Sequence, residues 1–219
     1  MKSTSVKRYF LLLVSTISLT GFSQINGSRG VHVGLTLPTG ILNSLVNTGK
    51  GIGVNTNSAY FYQVRTRFSA DVSVYKPNNV GLITGAYDYN ANDYILATLI
   101  CKDFVSLDLG AGLDYKVLPN MFPALYCGPE MIVGLDYANL YYTATNYYSG
   151  GGFQRFVHGG VKLNVGLEKK IGKIDVFGEV SFAVMRSQNY DYNYDSYYTT
   201  NKRPYCKFTN QKISFGIRF

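Results

Sequence analysis

Asn210-Gln-Lys-Ile-Ser-Phe-Gly-Ile-Arg-Phe219 decides how this chain is read. Ile213, Phe215, Ile217 and Phe219 fall on one side of an extended strand, and Lys212, Ser214, Gly216 and Arg218 fall on the other. The strand runs to the last residue and ends on an aromatic ring, which is unusual for a soluble protein.

The same period recurs upstream. Val31, Val33, Leu35 and Leu37 alternate with His32, Gly34 and Thr36. Ile52, Val54, Thr56, Ser58, Tyr60 and Tyr62 share a face, and Phe68, Ala70, Val72 and Val74 alternate with Arg67, Ser69, Asp71 and Ser73. Val105 to Val117 gives the clearest run, with Ser106, Asp108, Gly110, Gly112, Asp114 and Lys116 on its polar face. Val157 to Leu167 and Ile174 to Val184 follow, joined by Lys169-Lys-Ile-Gly-Lys173. A run from Asp93 to Cys101 is apolar on both faces, so its phase stays open.

Charges of the phased runs lie opposite the apolar face. A cation facing the middle of a bilayer costs about 2–4 kcal/mol, so lipid outside accounts for this segregation. A soluble sandwich also alternates, but its polar faces accept large Lys and Glu freely. Here the polar face is rich in Gly and Ser, as a narrow barrel interior requires. In lipid every backbone polar group is paired internally, so strands span only as a closed barrel. The expected fold is all-β, a closed antiparallel up-and-down transmembrane barrel.

The runs number nine when Met131-Ile-Val-Gly-Leu-Asp-Tyr137 is included. Single-chain bacterial barrels have even strand numbers. Eight strands result if 119–155 is one long outer loop carrying a hairpin, and this count is favoured. Ten result if Val80-Gly-Leu-Ile-Thr-Gly-Ala86 is also a strand. Stretches at 39–50, 77–92, 143–155 and 187–206 are expected outside, with tight links at 63–66, 102–104 and 168–173 on the periplasmic side.

Lys2, Lys7 and Arg8 precede a short apolar stretch opened by Phe10-Leu-Leu-Leu-Val14, and small or polar residues follow at Thr20-Gly-Phe-Ser23. The expectation is a cleaved signal over 1–23, with one barrel domain over 24–219. No Cys follows the apolar stretch, so a lipid anchor is not expected. Loss of the signal lowers the net charge from +8 to about +5. Basic residues are dispersed, and an exported chain has no nucleic acid to meet. No later segment is apolar for long enough to cross a bilayer as a helix.

The chain resembles the small OmpA/OmpX-type outer-membrane barrels, in particular the barrel domain common in Bacteroidota. The resemblance rests on the signal with its Ser23-Gln24 junction, Tyr94-Ile-Leu-Ala-Thr-Leu-Ile100 with a Lys102-Asp103 turn, Leu109-Gly-Ala-Gly-Leu113, and the closing strand. It covers essentially the whole chain after the signal. It implies residence in the outer membrane, contact with membrane lipid and lipopolysaccharide, and assembly by machinery that reads Phe215 and Phe219. It specifies architecture and leaves function open among adhesins, stress-related proteins and lipid-modifying enzymes.

Arg67, Asp71, Asp108, Asp114, Lys116, Lys162, Asp175, Glu179, Lys212 and Arg218 are expected to face inward. An interior just wide enough for its own side chains favours a salt-bridged plug over a polar conduit. One of Lys212 or Arg218 is expected to pair with Glu179. His32 and His158 are the sole histidines, neither stands in a Ser-containing catalytic pattern, and both are read as structural. No spacing of His, Cys or Asp suggests a metal, and Asp191 with Asp195 lacks the loop spacing of a calcium site. No cofactor is expected.

Cys127 and Cys206 are a candidate disulfide between two outer loops if 119–155 lies outside; Cys101 is then left over. Tyr60, Phe61, Tyr62, Tyr75, Phe104, Tyr115, Tyr141, Tyr142, Phe153 and Phe156 are expected to form interfacial girdles. The loop Asn189-Tyr-Asp-Tyr-Asn-Tyr-Asp-Ser-Tyr-Tyr198 offers Tyr190, Tyr192, Tyr194, Tyr197 and Tyr198 as contacts for a glycan or host surface. The reading is a non-catalytic structural or surface-interaction protein. A narrow channel is the alternative, ahead of a lipid-modifying enzyme using His158 or His32 and a soluble secreted binder.

Overall fold

The computed structural model describes residues 27–78, 80–88, 93–117, 124–144, 149–189 and 205–219. They form strands β1 (Gly27–Thr39), β2 (Val46–Ser58), β3 (Val64–Pro77), β4 (Leu82–Asp88), β5 (Asp93–Lys116), β6 (Leu125–Ala144), β7 (Ser149–Ile171), β8 (Ile174–Asn189) and β9 (Tyr205–Arg218). A single turn of helix, α1 (Ile41–Leu45), lies between β1 and β2. The proposed signal, 1–23, lies outside the described residues.

Every pairing is antiparallel, and the sheet closes on itself. β1 pairs with both β2 and β9, and β3 bridges β2 to β5. Above the point where β3 leaves the wall, β4 takes up the same neighbour: Tyr75 opposes Phe104, then Leu82 opposes Leu99. β3 and β4 therefore share one position, and the barrel has eight staves. Residue partners followed from Val33 through Ile52, Val72, Leu107, Leu135, Val157 and Gln188 arrive at Tyr205, beyond the top of β1. This climb is the stagger that a closed barrel of tilted strands requires.

The eight-stave count stands, but by a different route. Lys102-Asp103 is not a turn. Cys101 opposes Leu140 and Asp103 opposes Asn139, so Lys102 is a bulge inside one long strand. The bulge joins the two runs that sequence separates at 102–104. Nor is 119–155 an outer loop: β6 pairs with β5 and β7 along its length, and Val117 and Ala124 lie at the lower rim, with the β7–β8 turn. The stretch 80–86 does contain a strand, β4, yet it adds no stave.

Gly172 turns the chain tightly at the lower rim with a positive φ of 64°. At the upper rim Gly40 does the same, at 65°, and folds α1 inward. Leu42 and Val46 are buried there against Tyr75, Cys101, Phe104, Ala138, Leu140, Met185 and Phe208. The upper lumen is thus apolar. Tyr75 and Phe104 meet edge to face at 5.3 Å inside the barrel rather than in an outer girdle. Phe61, Tyr62, Tyr115 and Phe153 are exposed as a girdle requires.

The outer wall carries exposed Val33, Ile52, Leu109, Met131, Val161, Leu163, Val180 and Phe215. Lys50 departs from the expected segregation. β2 starts at Val46, so Lys50 lies in the wall between Leu35 and Val74 and faces out. It sits near the upper rim, where a long stem can carry the ammonium upward.

Candidate functional site in the barrel lumen

Because alternate residues point inward, strands distant in sequence deliver their polar side chains to one axis. Charges stack there in three tiers. The lowest holds Arg65, Arg67 and Arg218 against Asp114, Glu168 and Glu179. Arg65 donates from Nε to Asp114 Oδ2 at 2.9 Å and from Nη1 to Glu168 Oε2 at 2.8 Å. Arg67 bridges Asp114 at 3.2 Å and Glu179. Arg218, fully buried, donates to Glu168 at 2.7 Å. The Tyr126 ring lies among the three guanidiniums, 4.9 to 5.9 Å from ring centre to each, and its hydroxyl donates to Glu179 at 3.0 Å. Cationic groups over an aromatic face in a dry interior add attraction that the carboxylates alone do not supply.

The middle tier pairs Lys162 and Lys212 with Asp71 and Glu130. Lys212 donates to Asp71 at 2.6 Å, and Lys162 lies 2.9 Å from Glu130 and 3.9 Å from Asp71. His32 Nε2 is 2.6 Å from the same Asp71 oxygen, while its Nδ1 has no hydrogen-bond partner among the described residues, so Nε2 is the ring nitrogen that meets the carboxylate. Asn164 and Ser69 donate to Glu130. The Glu130 carboxylate occupies the space where a side chain at Gly110 would begin, so close approach, not a turn, demands glycine there.

The highest tier is Asp108–His158–Asp136. His158 Nε2 lies 2.7 Å from Asp108 and Nδ1 lies 2.9 Å from Asp136. Both ring nitrogens face carboxylate oxygen, so both donate when the carboxylates are ionised. Ser106 donates to Asp108, not to the imidazole, at 3.0 Å. A hydrolase needs its hydroxyl aimed at the base. Between this tier and the middle one is a cavity of about 20 Å³, edged by Asp71, Asp108, Lys162 and Lys212, which suits about one water.

Of the residues expected inward, Arg67, Asp71, Asp108, Asp114, Lys162, Glu179, Lys212 and Arg218 belong to the tiers. Lys116 and Asp175 instead edge a broad opening at the lower rim, with Tyr60, Lys169 and Lys170. Lys116 Nζ lies 4.2 Å from the Tyr60 ring centre, and burial at this mouth pushes the Tyr60 phenol above its usual range. Glu179 takes neither Lys212 nor Arg218. It is bound by Arg67 from across the lumen, while Lys212 and Arg218 reach Asp71 and Glu168.

Arg65, Glu130, Asp136 and Glu168 are tier members absent from the expected set. Glu130 and Asp136 fall on the face opposite the alternating Met131, Val133, Leu135 and Tyr137, a signal that identifies β6 as wall once the outer-loop reading is dropped. The proposed disulfide does not form. Cys127 opposes Tyr115 near the lower rim and its thiol is free, whereas Cys206 opposes Ser187 near the upper rim. Phe215 and Phe219 face outward and are exposed; Phe219 closes the ladder by exchanging two backbone hydrogen bonds with Arg29. Tyr190, Tyr192, Tyr194, Tyr197 and Tyr198 lie outside the described residues, as do Asp191 and Asp195. Among the described residues no His, Cys, Asp and Glu cluster is arranged to hold a metal.

No protein-family model matches this chain, and no curated protein does. Similarity appears among solved structures. Neisserial surface protein A is 13% identical with a TM-score of 0.45, over 88% of this chain and 96% of that one. A major outer membrane protein from Thermus thermophilus is 13% identical with a TM-score of 0.42, over 88% and 99%. The N-terminal β-barrel domain of Pseudomonas aeruginosa OprF is 11% identical with a TM-score of 0.41, over 89% and 98%.

Proposed function

We propose that this chain is a non-catalytic outer-membrane barrel whose role is structural or surface-interacting. One observation carries the reading: the molecule is inside out. Arg218, Glu130 and Asp114 are essentially fully buried, while Val33, Val161, Val180 and Met131 are more than half exposed. A protein in water rarely shows apolar patches of such extent. A hydrocarbon surround turns the same wall into a favourable surface. Export by residues 1–23 and assembly through Phe215 and Phe219 belong to this proposal. Fractionation with outer membranes, together with slower gel mobility after boiling, is the expected result; recovery in the detergent-free soluble fraction overturns it.

The filled lumen favours this reading over a channel. Three tiers of paired charge and an apolar cap leave little open path. In planar bilayers the protein is therefore expected to give no stable openings. Sustained ohmic steps that respond to Arg67→Ala would restore the channel reading.

Contacts at the cell surface fall to the upper connections, chief among them 189–198. Tyrosine supplies large rigid contact area at low entropic cost, and Asn, Asp and Ser supply adaptable hydrogen bonds. A glycan or host-surface ligand suits that composition. Deleting 189–198 is expected to abolish cell-surface binding to immobilised glycans while heat-dependent mobility persists. Binding unchanged by the deletion counts against this loop.

A further inference from the structure

The mouth at the lower rim holds charges that the tiers do not use. It measures about 650 Å³, within the range of about 300–1,000 Å³ that small-molecule sites occupy. Its floor is the lowest tier, where Arg65, Arg67 and Arg218 already meet Asp114, Glu168 and Glu179. Three guanidiniums against three carboxylates leave that tier neutral. Around it the mouth adds Lys116, Lys169 and Lys170 against Asp175, a surplus of two positive charges.

Membrane headgroups do not account for these lysines. Alternation along β7 turns Lys170 to the same side as Glu168, and Lys116 reaches the Tyr60 ring within the mouth. Both therefore point over the opening. Asp175 opposes Lys170 on one side and Arg218 on the other, but Arg218 is engaged by Glu168. Neither the three lysines nor Asp175 forms an ion pair among the described residues. The floor beneath them is fixed: Tyr60 donates to Glu168 at 3.1 Å, and Arg65 lies 4.5 Å from the Tyr60 ring centre while holding Asp114. A fixed floor leaves little to order when a ligand enters.

The charge types narrow the ligand. Three ammoniums call for anionic groups. The planar fork that suits phosphate is already taken, because Asp114 and Glu168 hold Arg65. Lysines bind as point charges and accept carboxylates from many directions. Asp175 repels a pure polyanion and attracts a cation. A molecule that satisfies both carries an ammonium and an excess of carboxylates.

We propose that the lower mouth binds an acidic amino acid or short acidic peptide, with its carboxylates on Lys116, Lys169 and Lys170 and its free ammonium on Asp175. The barrel then has a second binding surface, at the end opposite the upper connections. That this end faces the periplasm rests on the membrane reading above; the binding chemistry does not.

The test dialyses the full folded barrel, in uncharged detergent at low salt, against the radiolabelled dipeptide Asp-Glu. Saturable binding is expected, and added salt weakens it. Lys116→Gln with Lys170→Gln is expected to weaken it at least tenfold, whereas Lys76→Gln with Lys102→Gln at the upper rim leaves it unchanged. Acetylating the dipeptide's amine is expected to weaken binding to the native barrel at least tenfold, and Asp175→Asn is expected to erase the difference between the two forms. No saturable binding, or indifference to the lower-rim lysines, overturns the site. Equal binding of both forms by the native barrel overturns the role of Asp175. Inorganic phosphate competing as well as unlabelled dipeptide overturns the carboxylate assignment. Heat-dependent mobility confirms that each variant is folded. Recovery of a dipeptide-binding barrel in the soluble fraction sinks the membrane reading alone, whereas a membrane-inserted barrel that binds no dipeptide sinks this inference alone.

Discussion

Replacing Asp114 with alanine is expected to cost about 3–5 kcal/mol of barrel stability, the usual penalty for stranding buried charge. Asp114 is fully buried and accepts from both Arg65 and Arg67. Its loss leaves Arg67 with Glu179 alone and Arg65 with Glu168 alone among the carboxylates bonded here. Neither guanidinium can lose its proton, so the site has no cheap escape. Urea unfolding of folded protein, followed by heat-dependent gel mobility and far-ultraviolet circular dichroism, measures the loss. The control is the double substitution Arg67→Met with Glu179→Leu in the Asp114 background. Removing both partners of a buried pair is often neutral or better, so its cost should fall well below that of the single change. A deficit under about 1 kcal/mol for Asp114→Ala would mean that water reaches this tier, contrary to a packed lumen.

Val180→Arg is expected to destabilise the barrel in a bilayer by about 2–4 kcal/mol, because Val180 faces out midway along its strand. Its outward neighbours in register are Val165 and Ile213, so no polar group relieves the new charge. Phe153→Arg makes the same chemical change above the upper rim, where an Arg costs about 0–1 kcal/mol. Phe153 lies beside Arg155 on the part of β7 that stands above β8. The difference between the two variants reads depth directly. Equal costs would show that no hydrocarbon surrounds the waist.

The wall was legible in the sequence and the count of staves nearly so. Alternation fixes phase wherever one face is charged or small, as at Val105 to Val117. It fails where both faces are apolar, as from Asp93 to Cys101, and a bulge follows at the end of that run. Cys101 and Phe104 both point into the apolar upper lumen, three residues apart, because the Lys102 bulge inserts one residue between them. A charged doublet between two oily runs looks like a turn when it is a bulge. β6 was obscured for another reason. Gly128 and Pro129 break the pattern of a central strand, yet Pro129 faces outward opposite Leu163, so the ladder passes it. Misplacing β6 moved Glu130 and Asp136 out of the lumen and Cys127 to the wrong rim. Inward direction was therefore readable for most of the charges, but partner choice was not. Salt bridges that cross the lumen depend on stagger, and stagger is a property of closure rather than of any one strand.

Lys212 and Arg218 both belong to the final strand. Before β9 joins, the interior carries Asp71, Asp108, Asp114, Glu130, Asp136, Glu168 and Glu179 against Arg65, Arg67, Lys162 and the histidines. An unsealed precursor is thus short of cations at its axis, and the last segment delivers two. The strand that seals the seam therefore also carries two of the five Lys and Arg cations that face these carboxylates.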